Sequence, residues 1–184
     1  MSSHISCESF SNSLARAAGI VSTSPSGSIG ITTTLITGIS TTSVEIGNLI
    51  DNANFIAGTK VESIGVGSVT ADRDSTNNAA ASSQSVKFLG VTTVYSSPAA
   101  TKSILIGGTF ANNTNSQVNL TVELNDNSTG TSCAIASKIP VPAGSSFVIS
   151  DAGKTVMEAN DAIRVFCDSA NAIDVSLSIL QGVS

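Results

Sequence analysis

The sequence predicts an all-β protein. Runs of β-branched residues separated by Gly, Asn, Asp and Pro begin at Ile20 and continue through the chain, as expected for short strands joined by turns. Between residues 86 and 184 the runs recur about every ten residues, the spacing of a β-sandwich or jelly roll. We therefore expect a short N-terminal helix, a small hairpin-rich β module and a C-terminal eight-stranded antiparallel β-sandwich that is jelly-roll-like.

The N-terminal helix is predicted over residues 6–18. Phe10, Leu14 and then one of two alanines recur at the spacing of one helical face, and Gly19 supplies a stop. A helix this short is marginal unless it docks on another surface. It either packs on its own domain or serves as an anchoring arm that places Phe10 and Leu14 on a neighbouring subunit. These two residues are the candidate assembly contacts.

Composition divides the chain into four parts. They are an N-terminal arm at 1–19, a small β module at 20–75, a linker at 76–85 and a β-sandwich at 86–184. The linker is predicted because the residues before 86 lose both apolar periodicity and bulk. Strands of the module are predicted near 29–37, 43–47, 59–65 and 67–72.

The sandwich is predicted to contain eight strands, near 86–95, 102–111, 117–125, 132–138, 145–150, 154–158, 161–167 and 172–181. Alternation of apolar and polar residues gives the inward-facing side chains of two of them. These are Val118, Leu120, Val122, Leu124, Ile173, Val175, Leu177 and Ile179.

The strand at 102–111 is apolar or small along nearly its whole length, which favours a central position in a sheet. We expect Ile104, Ile106 and Phe110 on one face of it. Because the chain has no Trp and one Tyr, we expect Phe88, Phe147 and Phe166 to fill the same core as Phe110.

Charge and composition exclude several classes of function. The chain has a net charge of −5, and its eight Lys and Arg are scattered singly, which argues against nucleic acid as a partner. A single histidine, His4, removes Ser-His-Asp and Cys-His catalysis from consideration. We find neither a signal-peptide pattern nor an apolar run of about 18 residues, so we expect synthesis in a cytosol and no membrane partner.

The remaining motifs favour bland interpretations. Cys7, Cys133 and Cys167 are too widely spaced for a zinc site, and we predict reduced, mostly buried thiols. A disulfide between Cys133 and Cys167 would require them to be cross-strand neighbours. Asp72-Arg-Asp74 and Asn125-Asp-Asn127 lack the Gly and distal Glu of a calcium loop, and we interpret both as turns. The sequence identifies no catalytic, cofactor-binding or metal-ligating residue and predicts a non-enzyme.

Residues 32–70 resemble a small β module of bacteriophage tail fibres and virion structural proteins, in which Ile-x-Gly-Thr-x-Val-x-x-Ile leads into Gly-x-Val-Thr. The matching residues are Ile56, Gly58, Thr59, Val61, Ile64, Gly67, Val69 and Thr70. Residues 142–150, 153–161, 163–165 and 173–179 are similar to β-sandwich virion proteins of tailed phages, especially those of marine cyanobacteria.

The resemblance implies a structural role in a virion and carries no catalytic residues. We expect a homo-oligomeric capsid decoration protein, made in the host cytoplasm and located in the virion, whose partner is the major capsid protein. The alternatives are a neck, tail or fibre component that contacts neck or tail proteins, and a β-sandwich that binds host glycans.

Overall fold

The computed structural model describes residues 9–150 and 154–183, and this part of the chain forms antiparallel β-sheets with no helix. The all-β class is confirmed. The strands are β1 (Ser9–Arg16), β2 (Gly19–Ile29), β3 (Leu35–Thr37), β4 (Leu49–Asp51), β5 (Val61–Gly65), β6 (Ser68–Ala71), β7 (Ala81–Gly90), β8 (Thr92–Ser96), β9 (Lys102–Asn112), β10 (Val118–Asp126), β11 (Thr131–Val141), β12 (Ser146–Ile149), β13 (Thr155–Met157), β14 (Ala162–Cys167) and β15 (Ile173–Val183).

Two of the sheets pack face to face as a β-sandwich. The five-stranded sheet has the order β1-β15-β9-β12, with β13 also paired to β9, and the four-stranded sheet has the order β11-β10-β14-β8. Both sheets contribute side chains to one core, among them Leu105, Phe110, Leu120, Ile163 and Leu177. The inward-facing residues predicted on β10 and β15 are confirmed, since all are buried except Leu124, which is partly buried.

The predicted N-terminal helix is wrong for residues 9–18, and its first residues lie outside the described part. Residues 9–16 form β1, which pairs along its whole length with β15. Phe10 and Leu14 lie four residues apart, a spacing that places two side chains on one face of a helix and equally on one face of a strand. The Ser-rich segment favours neither structure strongly by propensity, so pairing with β15 decides.

The third sheet has six strands in the order β4-β7-β2-β3-β6-β5; we call residues 19–90 the inserted sheet. It has its own core, which includes Ile29, Ile36, Val69 and Phe88, and Phe55 from a loop packs into that core.

Several predicted boundaries in this region differ from the structure. The predicted strand 43–47 is a turn, and the predicted strand 29–37 is interrupted between β2 and β3. Residues 81–85, assigned to a linker, are the first half of β7; their side chains are largely exposed and polar, so no apolar alternation marks them. The predicted strand 86–95 is divided between β7 and β8, which belong to different sheets.

The chain leaves the sandwich after β1 and returns to it before β8 at one place. Gly19 and Gly90 are paired residues of β2 and β7. Beside them, the amide of Ala17 donates to the carbonyl of Ile173 at 2.9 Å and the amide of Ala18 donates to Thr92 Oγ1 at 2.8 Å. The inserted sheet is therefore an insertion between the first and second strands of the sandwich.

The inserted sheet rests on the outer side of the four-stranded sheet; we call this contact the docking interface. Its centre is an apolar cluster of Phe166 with Leu49 and Leu89. Two ion pairs cross it: Lys60 Nζ lies 2.7 Å from Glu123 Oε2, and Lys138 Nζ lies 2.8 Å from Asp51 Oδ1.

The prediction of one common phenylalanine core is therefore wrong. Phe110 and Phe147 contact each other in the sandwich, with ring centroids 5.9 Å apart. Phe88 lies in the core of the inserted sheet and Phe166 lies in the docking interface. These four phenylalanines are thus divided among three separate apolar clusters.

A bulge in β9 corrects the predicted face of that strand. Ser178 pairs with Gly107 and Ile179 pairs with Leu105, so Ile106 has no partner of its own on β15. The extra residue shifts the alternation by one position, with the result that Leu105 and Phe110 are both buried while Ile104 and Ile106 are only partly so.

The first prediction concerns the connection to the inserted sheet. Gly19 has a φ of +75°, and an added Cβ would lie 2.1 Å from the backbone oxygen of Ser169. Gly144 has a similar φ of +64° but open space around the Cβ position. We expect Gly144→Ala to lower the free energy of unfolding by about 1 kcal/mol through backbone strain alone, and Gly19→Ala to lower it by more than about 3 kcal/mol because backbone must also move. Urea unfolding of both variants measures the difference; equal losses would contradict the close approach to Ser169.

The second prediction concerns the docking interface. Lys60→Met leaves Glu123, whose side chain is 5% exposed, without its ion-pair partner, and we expect a loss of about 3 kcal/mol in the free energy of unfolding. Lys102→Met is the control, since Lys102 and Glu158 are both about half exposed and such a pair contributes less than about 1 kcal/mol. The double variant Lys60→Met/Glu123→Leu should recover most of the loss. Equal unfolding midpoints for the two single variants in urea would contradict the prediction.

Candidate functional site

The two candidate assembly contacts lie on the solvent-facing side of the five-stranded sheet. Phe10 is 77% exposed and Leu14 is 74% exposed, although their strand, β1, pairs with β15 along its whole length. The structure places them on the same side of β1, where they project away from the sandwich core. Exposure of this degree is unusual for two neighbouring large apolar side chains.

Strand register extends these two residues into rows that cross the sheet. The first row, which we call the ridge, runs from Phe10 through Leu180 and Ile104 to Val156, each paired with the next across neighbouring strands. All four members are large and apolar. Val156 is more than half exposed, and Leu180 and Ile104 are partly exposed.

A second row, which we call the trough, runs parallel to the ridge. It passes from Leu14 through Ser176 and Thr109 to Val148, so large residues stand at its two ends and small hydroxyl residues form its floor. A hollow of about 590 Å³ lies between the trough residues Leu14, Ser176 and Thr109 on one side and the Arg16–Asp174 pair on the other. A middle row of Asn12, Ser178 and Gly107 separates trough from ridge.

We call these three rows together the outer face. None of their residues carries a charge, so the outer face offers apolar contact and neutral hydrogen-bonding groups. The ridge is apolar and the trough carries neutral hydroxyl groups, so the surface lacks charged residues, as the centre of a protein–protein interface does. Sequence reasoning found Phe10 and Leu14 but missed the other members of the rows, because strand register joins them and no sequence pattern reveals it.

One ion pair closes the trough end of the outer face. The Arg16 guanidinium donates to both carboxylate oxygens of Asp174, at 2.6 and 3.1 Å, and Asn113 Nδ2 also donates to Asp174 at 3.2 Å. The hydrogen bonds from Arg16, followed by that from Asn113, lower the pKa of the Asp174 carboxyl, and the same contact raises the pKa of Arg16. The pair neutralises itself at the rim, where it remains in contact with water.

A polar cleft of about 440 Å³ lies between the inserted sheet and the four-stranded sheet. Lys60, Asp72, Arg73 and Glu123 line it together with hydroxyl residues. Both carboxylates are already engaged, because Glu123 pairs with the Lys60 ammonium and Asp72 accepts the Lys60 amide at 2.8 Å. Both carboxylates of the cleft are thus engaged in interactions that stabilise the fold.

The cysteine predictions are half right. Cys167 is buried, and burial raises the pKa of its thiol, whereas Cys133 is exposed, so the prediction for Cys133 is wrong. Cys133 pairs with Leu124 on one side of β10 and Cys167 pairs with Leu120 on the other. They are not cross-strand neighbours, and both are free thiols. Cys7 and His4 lie outside the described residues.

The two aspartate motifs stabilise loops. Asp126 accepts hydrogen bonds from Ser128 and from the amide of Thr129, and these lower the pKa of its carboxyl. Asp72 caps the backbone of Lys60. Within residues 9–150 and 154–183, no three or more His, Cys, Asp or Glu side chains gather as a metal site would require. The same part of the chain contains no helix of the length and apolar character needed to cross a membrane.

Comparison with known proteins gives little. No family model and no curated protein matches the chain. A solved structure of the CBM22-1 xylan-binding domain from Paenibacillus barcinonensis Xyn10C aligns with 92% of this chain and 99% of that chain, at 14% identity and a TM-score of 0.20. A likeness that low carries no argument about function.

The third prediction concerns the ion pair at the rim. Because Asp174 has a lowered pKa in the folded protein, it stabilises the fold above its unfolded pKa of about 3.9, and this contribution is lost as the pH falls through the folded value. We expect Arg16→Gln to raise the pKa of Asp174 toward the ordinary value, as followed by NMR titration of its carboxyl carbon. Lys154→Gln removes the same charge elsewhere and should leave Asp174 unchanged. A pKa of Asp174 that does not respond to Arg16→Gln would contradict the assignment.

Proposed function

We propose that this chain is a non-enzymatic structural subunit of a bacteriophage virion and that the outer face is the surface through which it contacts neighbouring protein in the particle. The position proposed first is capsid decoration, with the major capsid protein as partner. A neck, tail or fibre position is the alternative within the same class.

The observation that carries the proposal is the uncharged outer face with its exposed ridge. Phe10 and Leu14 would cost free energy in contact with water, and burial of side chains of this size stabilises a contact by about 1.5–3 kcal/mol each. The exposed apolar residues of the ridge are contiguous across four strand positions. Single exposed apolar residues are common on protein surfaces, whereas a contiguous patch marks a contact surface. An assembly partner that covers it explains why the strands keep these residues.

Strand order gives further support. The pairs β1–β15, β8–β14, β9 with β12 and β13, and β10–β11 are those of one long hairpin wrapped around a core. This is the arrangement of an eight-stranded jelly roll if β12 and β13 count as one interrupted strand, and jelly rolls recur in viral capsid proteins and in lectins. A fold alone does not define a function, but this one is compatible with both candidate classes.

Binding of a host glycan is the second candidate, and Phe10 is the observation that favours it. Among the aromatic residues that the structure describes, it alone is exposed, with Asn12 and Ser178 close by on the middle row. A sugar ring stacks on an aromatic face while neutral polar groups bond its hydroxyls. The two functions predict different partners for the same residue.

The fourth prediction tests the proposal by point substitution. Deletion of the N-terminal arm is unsuitable, because it would remove β1 and the buried Ala17 from the sandwich. Phe10→Ser with Leu14→Ser should reduce co-sedimentation with virions stripped of this protein by at least about 10-fold, as loss of two apolar contacts requires. Val66→Ser is the matched control, because Val66 is fully exposed on the hairpin between β5 and β6.

Saturable binding at the stoichiometry of the capsid lattice supports decoration, and binding in few copies supports a neck or tail position. Binding that is unchanged by Phe10→Ser with Leu14→Ser would contradict the proposed use of the outer face. If the protein binds no particle but retains a host polysaccharide in a Phe10-dependent manner, the glycan-binding candidate replaces the structural one.

A further inference from the structure

We propose that the outer face joins two copies of this chain around a twofold axis, with the ridge of each copy packed over the trough of the other. This inference rests on the proposed function and names the neighbour that the outer face contacts as a second copy of the chain. The major capsid protein then contacts another surface of the dimer, and particle binding depends on Phe10 and Leu14 because the dimer is the form that binds. The dimer follows from the shape of the face, from its lack of charge and from its size.

The shape is self-complementary. An interface around a twofold axis uses the same patch on both copies, so that patch must carry both a projection and a matching recess. The outer face has both, because the ridge is large along its whole length while the trough is small at its centre. Its two rows lie on either side of the middle row of Asn12, Ser178 and Gly107.

A twofold axis that runs across the strands along the middle row exchanges ridge and trough. Leu180 of one copy then lies over Ser176 of the other, and Ile104 lies over Thr109. Both side chains occupy the trough side of the hollow, and the Arg16–Asp174 pair borders its other side. Phe10 meets Leu14 at one edge of the sheet, and Val156 meets Val148 at the other edge. The small residues of the middle row let the two sheets approach to the ordinary spacing of about 10 Å for stacked sheets.

The charges on the face permit this contact. Ridge, middle row and trough contain no ionisable side chain, so pairing two copies buries no unpaired charge, which would be costly. Arg16 and Asp174 neutralise each other at the rim. The two copies each carry a net charge of −5 and repel at long range, so salt should strengthen the dimer by screening that repulsion.

The sheet that carries the outer face is large enough for a dimer. Four strand positions span about 19 Å and the longest paired strands run for about 30 Å, which gives a projected area of about 600 Å². The three rows cover about 14 Å of that length at its centre, and the ion pairs Arg16–Asp174 and Lys102–Glu158 lie beyond them at the two ends. Specific interfaces bury roughly 600–1,000 Å² on each partner, so the sheet reaches the lower end of that range with an uncharged centre and a charged rim.

The fifth prediction is the oligomeric state in solution. Sedimentation and light scattering should give twice the chain mass of 18.4 kDa, with a dissociation constant that falls as salt is raised. Leu14→Ser, which acts at two symmetry-related contacts, should weaken the dimer by about 100-fold. Thr109→Arg, which fills the trough and introduces a charge, should give monomers. Val66→Ser should leave the dimer unchanged, and unfolding curves confirm that each variant is folded.

Cross-linking tests the position of the axis. Ser178 lies on the middle row, so Ser178→Cys in a background with Cys7→Ser and Cys133→Ser should be joined to its own symmetry mate by a short bismaleimide. Val66→Cys in the same background should not be joined. A dimer linked at Val66 or unaffected by Thr109→Arg would overturn the proposed packing, as would a trimer.

The dimer and the proposed function fail in different ways. A protein that is monomeric at millimolar concentration but still binds stripped virions through Phe10 and Leu14 would overturn the dimer and leave the structural role in place. A dimer that loses its partner with Thr109→Arg but binds no particle in either state would support the dimer and overturn the structural role.

Discussion

Pairing of β1 with β15 is the constraint on which the rest of the structure depends. It makes the N-terminal strand the outermost member of the five-stranded sheet, while the next strand of the sandwich, β8, begins only after the inserted sheet. The chain must therefore leave and return at one point. Gly19 and Gly90 meet that requirement because a Cβ at Gly19 would meet the backbone of Ser169 and a Cβ at Gly90 would meet the side chain of Val21. An insertion whose two ends are adjacent disturbs the surrounding strands little.

The position of the inserted sheet determines which surface of the sandwich remains free. Phe166 and the ion pair of Lys60 with Glu123 hold it against the outer side of the four-stranded sheet, so the middle of that sheet, at β10 and β14, is covered on both sides. Within residues 9–150 and 154–183, nothing packs on the other side of the five-stranded sheet, and this outer face is the one that carries Phe10 and Leu14. Antiparallel sheets normally carry polar residues on a face that contacts solvent. The apolar ridge on this face departs from that rule.

The sequence predicted the strands in which apolar and polar residues alternate clearly. It failed where pairing with a distant strand, a β-bulge or a polar segment hides that alternation. From residue 102 onward each predicted strand corresponds to an observed one. Spacing by four residues could not distinguish a helix from a strand at Phe10 and Leu14, and β15, the partner that decides, lies more than 150 residues away in sequence. The bulge at Ile106 inverted the expected face of β9, and the polar first half of β7 gave no signal at all. The ridge was beyond prediction for the same reason, since register between distant strands brings Leu180 and Ile104 beside Phe10.

The positions of the ion pairs help to explain why the chain has few charged residues. Two of the ion pairs, those of Lys60 with Glu123 and Lys138 with Asp51, join the inserted sheet to the sandwich, and a third, Arg16 with Asp174, stands at the rim of the outer face. The two pairs at the docking interface thus lie where they fix the orientation of one part relative to the other, which is the best-supported use of partly buried charges. The outer face carries Ser, Thr and Asn instead, groups that lose little when a neighbour replaces water. The proposed contact with neighbouring protein accounts for an uncharged outer face, because an unpaired charge on a face that becomes buried would oppose that contact.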